Sequence, residues 1–208
     1  MLAAQRSEFQ FDLTGGHLAL DLANTVSRRG IPARRKEHLK SYPDVISFLR
    51  QSKIISSKQA DELREDALHH PAEARHSFSR VIRLREAIYR VFSAIAQHRP
   101  VAAGDLMLIS DFAVEALRHR TLTPMNGGYS WQWIANTKDI FDRFLWPMAQ
   151  AATDLLTSGE LKVVRFCEAP DCEWLFLDHS RNRSRRWCDM KSCGNRAKAR
   201  RHYERMRN

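Results

Sequence analysis

The chain has 208 residues, 43% of them hydrophobic and 28% charged, with a formal net charge of +10. This is apolar sequence enough for one core of ordinary domain size plus a small appendage. No run of 18 apolar residues occurs, and Arg6, Glu8 and Asp12 interrupt the first stretch where a secretory leader needs an apolar centre, so the chain reads as a cytoplasmic protein without a membrane span.

In chain order, EFQFDL alternates Phe9, Phe11 and Leu13 and predicts a short strand stopped by Gly15 and Gly16. HLALDLANTV then predicts a helix that sets His17, Asp21 and Asn24 at i, i+4 and i+7, a polar stripe that is a candidate wall of an effector pocket. Pro43 fits the first turn of a helix carrying Val45, Phe48 and Leu49, and Ser56 with Gln59 spells a capping box for the next. Val81, Leu84, Ile88, Val91 and Ile95 give the clearest helical stripe. Asp105 opens a helix through Leu106, Ile109, Phe112 and Ala116, and AsnGlyGly at 126–128 turns a hairpin. A long helix is expected from a cap at Asn136 to Gly159, kinked at Pro147, with Ile140, Phe144, Met148, Ala151 and Leu155 inward. Trp131, Trp133 and Trp146 read as core aromatics more than as pocket walls.

The last fifth differs. All four cysteines lie there as two pairs, CEAPDC and CDMKSC, each with four residues between its thiols and fifteen residues between Cys172 and Cys188. Two tight turns that each present two thiolates suit a tetrahedral metal, so Cys167, Cys172, Cys188 and Cys193 are expected to bind Zn2+. Two disulfides are the other use of four cysteines, and a reducing compartment disfavours them. Four thiolates close the coordination sphere, and neither HExxH nor HxE with PCxxC is present, so the zinc reads as structural. VVRFCEAPDCEWLFLD predicts a strand, knuckle and strand. Ser192 is expected to cap a final helix that packs Ala199, Tyr203 and Met206 back on this hairpin, a treble-clef-like arrangement.

The charge is concentrated here too. Residues 179–207 hold eleven Lys or Arg against Asp189 and Glu204, so 11 − 2 leaves +9 on 29 residues, a density that points to phosphate. A solvated helix balanced by ion pairs would need more acids than Glu204. Candidate contacts are Arg181, Arg183, Arg185 and Arg186 in the loop and Arg196, Lys198, Arg200, Arg201 and Arg205 on the helix. Asn195 reads as a support of the metal knuckle before it reads as an adenine contact. Gly194 fits a close passage of backbone by the metal sulfurs or a phosphate.

CGNR at 193–196, with WLFLDHSRNRSRRWCDMKS before it and AKARRHYER after it, closely resembles the CGNR zinc finger family. GGHLALDLANTVSRRG, LREAIYRVF and LWPMAQAATDLL resemble the ABATE domain of bacterial stress-induced transcription regulators. The resemblance implies a mainly helical regulatory domain of α+β class at 1–159 and a DNA-binding zinc finger at 160–208. The chain thus reads as a non-enzymatic regulator that binds double-stranded DNA, with a small-molecule effector or a homodimer as further partners. An RNA-binding module, or an enzyme centred on Asp21 and Asn24, are the alternative readings; no GxSxG, P-loop or GxGxxG supports the enzyme.

Overall fold

A computed structural model describes residues 8–134 and 140–207 of the chain. Its centre is α4, Pro71–Ala96, whose Leu84, Ile88, Val91 and Phe92 are fully buried. Around it pack α1 (Leu18–Ala23), α2 (Tyr42–Gln51), α3 (Ser57–His69), α5 (Ala103–Leu117) and α6 (Leu145–Thr157). Each buries one apolar stripe against α4 or its neighbours, which is how short helices of modest intrinsic stability persist. The capping box at Ser56 forms, and a second one joins Ser41 and Asp44 across Pro43.

Three two-stranded antiparallel pairs complete the described residues. β1 (Val26–Ser27) pairs with β2 (Lys36–Glu37). β3 (Arg120–Met125) pairs with β4 (Gly128–Trp133) across Asn126 and Gly127, whose positive φ of 88° suits the tight turn. β5 (Val164–Phe166) pairs with β6 (Leu175–Leu177). In β6 the side chains alternate between two cores. Leu175 and Leu177 join the main core with Val163 and Val164, while Phe176 turns to the cysteine cluster. The finger hairpin is therefore seated on α1 and α4.

Several expectations are corrected. EFQFDL forms no strand, because no free strand edge reaches it; instead the Gln51 side chain takes a partner strand's place, accepting from the Phe11 N–H at 2.8 Å and donating to the Phe9 carbonyl at 2.7 Å. Leu106 faces solvent on α5, whose inner face is Ile109, Phe112 and Ala116. The expected cap at Asn136 lies outside the described residues, and the helix proper begins at Leu145. Pro147 sits in its first turn, where a missing N–H costs nothing, so it starts the helix and does not kink it. Trp146 is buried and stacks on His119 at 3.7 Å, whereas Trp131 is exposed.

A buried ion network fixes the segment between α1 and α2. Arg85 of α4 is 1% exposed and holds Glu37 bidentately at 2.6 and 2.8 Å, with Glu86 and the Thr25 hydroxyl beside it. Arg29 pairs with Glu86 at 2.7 Å and lies over the Tyr89 ring at 4.0 Å.

Candidate metal centre and nucleic-acid interface

The β5–β6 hairpin brings the first thiol pair together: the Cys167 N–H donates to the Trp174 carbonyl at 2.8 Å, and the Cys172 N–H closes a turn on Ala169 at 3.0 Å. The second pair arrives on a loop that folds back so that the Cys188 N–H donates to Cys167 Sγ at 3.4 Å. All four sulfurs are buried and lie within 4.8 Å of one another, with Cys172–Cys188 and Cys188–Cys193 each at 3.5 Å. A tetrahedron of thiolates on zinc has edges of ~3.8 Å at Zn–S distances of about 2.3 Å, so the cluster has the size and donor chemistry of a closed Zn2+ site. Proton sharing shows why a cation belongs there. The Cys172 and Cys188 thiols are held far above the ordinary thiol range, first by their hydrogen bonds with Cys167, since adjacent sulfurs cannot all ionise alone. A divalent ion removes that conflict.

Cys193 sits in a single π-helical turn, Met190–Gly194, which leads into α7, Asn195–Arg207. The turn's cap is Asp189 and not Ser192: its carboxylate accepts from the N–H groups of Lys191 at 3.1 Å and Ser192 at 2.9 Å, two donors where a serine satisfies one. Burial opposes its ionisation, but these bonds outweigh burial and hold the Asp189 carboxyl below its usual range. Asn195 donates to the Lys191 carbonyl at 3.1 Å and so ties the turn together. A Cβ on Gly194 would meet Met190 Sδ at 2.8 Å and Trp187 at 3.3 Å, so the close passage is to these side chains.

The expected packing of α7 does not occur. Tyr203 is 69% and Met206 75% exposed, Ala199 is exposed, and no α7 residue is buried. The helix leaves the finger at the metal turn and stands in solvent, because the hairpin face it would cover is already spent on α1, α4 and the thiols.

The candidate cations sort into two groups. Arg185 Nε donates to the Trp187 carbonyl at 2.9 Å, its other nitrogens reach the carbonyls of Cys188, Leu177 and Thr14, and its guanidinium lies over Phe176 at 4.4 Å. It braces the loop with Asp178, a buried carboxylate that accepts from the Ser180 N–H and hydroxyl and the Arg185 N–H. Burial works against that charge, yet the bonds keep Asp178 below its ordinary value. Its signal in the sequence was only an Asp two residues before a Ser. Arg186 pairs with Glu168, and Arg196 divides itself between Asp171 at 3.4 Å and Cys193 Sγ at 3.1 Å, supporting the thiolate charge. Arg181, Arg183, Lys198, Arg200, Arg201 and Arg205 are exposed, with no ion pair among the described residues.

His17, Asp21 and Asn24 part company. The His17 ring accepts from the Ala19 N–H and caps α1. Asn24 uses both ends of its amide on the finger, donating to the Leu175 carbonyl at 2.8 Å and accepting its N–H at 2.9 Å, and so extends β6 like a strand partner. Asp21 accepts the Gly15 N–H at 2.8 Å and, with Asn24, lines a cavity of about 250 Å³ between Phe9, His38 and Trp174. Burial pushes the Asp21 carboxyl up to about 6. Because the folded state holds that proton more tightly than the unfolded one, stability falls as pH rises from about 4 to 6. Asp21→Asn keeps the acceptor and removes the cost, so it is expected to raise stability by about 1–2 kcal/mol at pH 7.5, after discounting for partial exposure, and by nothing at pH 4. Urea titrations at the two pH values read this out; equal shifts at both would refute it.

Residues 16–159 match the ABATE family, described as "Putative stress-induced transcription regulator", and residues 164–206 match the CGNR zinc finger. None of the curated proteins matches the chain. Among the described residues no helix is long and apolar enough to cross a membrane. With its matched region spanning most of the chain and its four thiols converging on one zinc site, the protein belongs to the ABATE family and carries a C-terminal CGNR zinc finger.

Proposed function

We propose that the protein regulates transcription by binding duplex DNA through α7 and the Arg181 and Arg183 loop, with zinc holding both at the correct angle. The observation that carries this reading is the free helix itself. An isolated helix of 13 residues is marginal in water, and this one presents Lys198, Arg200, Arg201, Arg205 and Arg207 against Glu204 as its sole acid. A partner dense in phosphate neutralises the charge and covers the helix at once, and a helix of this width enters a major groove. Residues 1–159 act as the regulatory unit: they sense a small molecule in the Asp21 cavity, or pair two copies so that two fingers read a palindrome. The chain acts as a binder and not an enzyme.

Selection of bound fragments from a random duplex pool by zinc-loaded protein tests the reading directly. Enrichment of one motif is the expected result; preference for single strands or RNA, or no binding at all, would sink it. In a salt titration on the selected site, Arg200→Ala with Arg201→Ala is expected to flatten the log–log slope by about 0.9 for each phosphate that is no longer neutralised. An unchanged slope would show that neither residue touches the backbone.

A further inference from the structure

The segment from Arg28 to Lys36 carries a second set of cations, and its backbone sorts them. Side chains along a strand alternate sides. In β2 Glu37 turns inward to Arg85 and its neighbour Lys36 outward, opposite Ser27 in the register; past the end of β1, Arg28 takes a positive φ of 57° and lines the outer cleft while Arg29 reaches Glu86. Arg34 joins them from the turn Pro32–Arg34. These three line a cleft of about 380 Å³ whose far wall is the finger: Asp171, Ser192 and Arg196. Arg28, Arg34 and Lys36 make no ion pair among the described residues, and the acids of the cleft are Asp12 and Asp171, the latter paired with Arg196. Cys172, Cys188 and Cys193 of the metal centre also line it, so its four cations face two carboxylates and the thiolates, and Arg28, Arg34 and Lys36 are the cations without an ion pair among the described residues.

Arg196 belongs to two surfaces. Its other side lines the groove at the base of α7 with Arg186, Arg200 and Arg201. Arg196, paired with Asp171 and Cys193 Sγ, stands between the exposed Arg200 and Arg201 of α7 and the three unpaired cations of the helical domain, so the two cationic surfaces adjoin at the metal turn. The two walls are joined firmly: Trp174 Nε1 donates to the Val26 carbonyl at 2.9 Å, and Asn24 pins β6. The wall of the helical domain is itself anchored by the buried Arg85.

We propose that Arg28, Arg34 and Lys36 extend the nucleic-acid surface onto the helical domain and contact the phosphate backbone of the duplex that α7 engages. The inference rests on the reading of α7 as a duplex binder. A polyanion is favoured over a small anion because the unpaired cations lie on both sides of the metal turn, and a single small ion would neutralise one side only. Phosphate contacts of this kind set position and affinity and carry no base specificity.

The test uses the full zinc-loaded chain on its selected duplex. Arg28→Gln, Arg34→Gln and Lys36→Gln together are expected to lower the log–log salt slope by up to about 2.7, 0.9 per phosphate, with the selected motif unchanged. Zinc stoichiometry and melting temperature equal to the parent's show that the variant is folded. Should the triple variant fail that check, Lys36→Gln alone is compared with Arg35→Gln, a neutralisation on the same segment outside the cleft; only the former is expected to flatten the slope. If the parent binds duplex and these variants keep its slope, the extension is wrong while the α7 reading stands. Inorganic pyrophosphate raising the melting temperature of the parent but not of the triple variant, with slopes equal, would assign the cleft to a small anion and overturn the proposal. A parent that binds no duplex overturns both.

Discussion

Cys193→Ser is expected to cost the finger its metal and then its fold. Zinc binding to a four-thiolate site of this kind contributes roughly 10–16 kcal/mol of apparent free energy, and in a small segment that binding energy is folding energy. Serine removes one of four converging ligands and leaves three buried sulfurs that cannot all ionise to hold the cation as a closed site does. The π-helical turn and the start of α7 depend directly on the Cys193 position, and Arg196 is deprived of the sulfur it supports. The damage does not stop there. Leu175 and Leu177 sit in the main core and Asn24 is bonded to Leu175, so an unfolded finger withdraws apolar cover from α1 and α4. The helical core is expected to persist but melt at a lower temperature. Native mass spectrometry should find one zinc on the parent and none on the variant after chelator challenge; a variant that keeps its zinc, with an unchanged melting curve, would contradict the account of the centre.

Arg85→Ala is expected to destabilise the helical domain by about 3–5 kcal/mol, because it strands the carboxylate of Glu37 and removes one partner of Glu86. In a chain of this length that corresponds to a fall in melting temperature of roughly 6–20 °C. Arg29 still pairs with Glu86, so the damage falls chiefly on Glu37 and the β1–β2 segment. Adding Glu37→Met to Arg85→Met should recover part of the stability, since an apolar pair of similar volume needs no charge compensation. Arg85→Ala melting at the parent's temperature would show that the network stabilises nothing. Because β1 holds Trp174 through the Val26 carbonyl and β2 carries Lys36 beside Glu37, the same substitution is expected to loosen the finger against its support.

Local rules predict well where the physics is local. The capping box at Ser56, the stripe from Val81 to Val91 and the turn at Gly127 depend on neighbours a few residues away, and all form as expected. Pro147 misled because its effect depends on where a helix begins, which the sequence around it leaves open. The expected strand at Phe9 had the right alternation, but a strand exists only with a partner edge, and the fold supplies a glutamine amide in its place.

By itself the sequence determined the zinc chemistry and the location of the charge. Four thiols in equal pairs leave one economical use, and eleven cations against two acids mark residues 179–207 as the basic end of the chain. Only the tertiary structure decided which of these cations remain unpaired among the described residues. Arg185 looks the same as Arg183 along the chain, yet the fold brings the Thr14 carbonyl, 171 positions away, within reach of its guanidinium. A guanidinium's donors are claimed by whatever oxygen lies nearby in space, and that proximity is a property of the assembled core. For the same reason Asn24 became a clasp, α7 stood free, and Arg28, Arg34 and Lys36 came to face the finger.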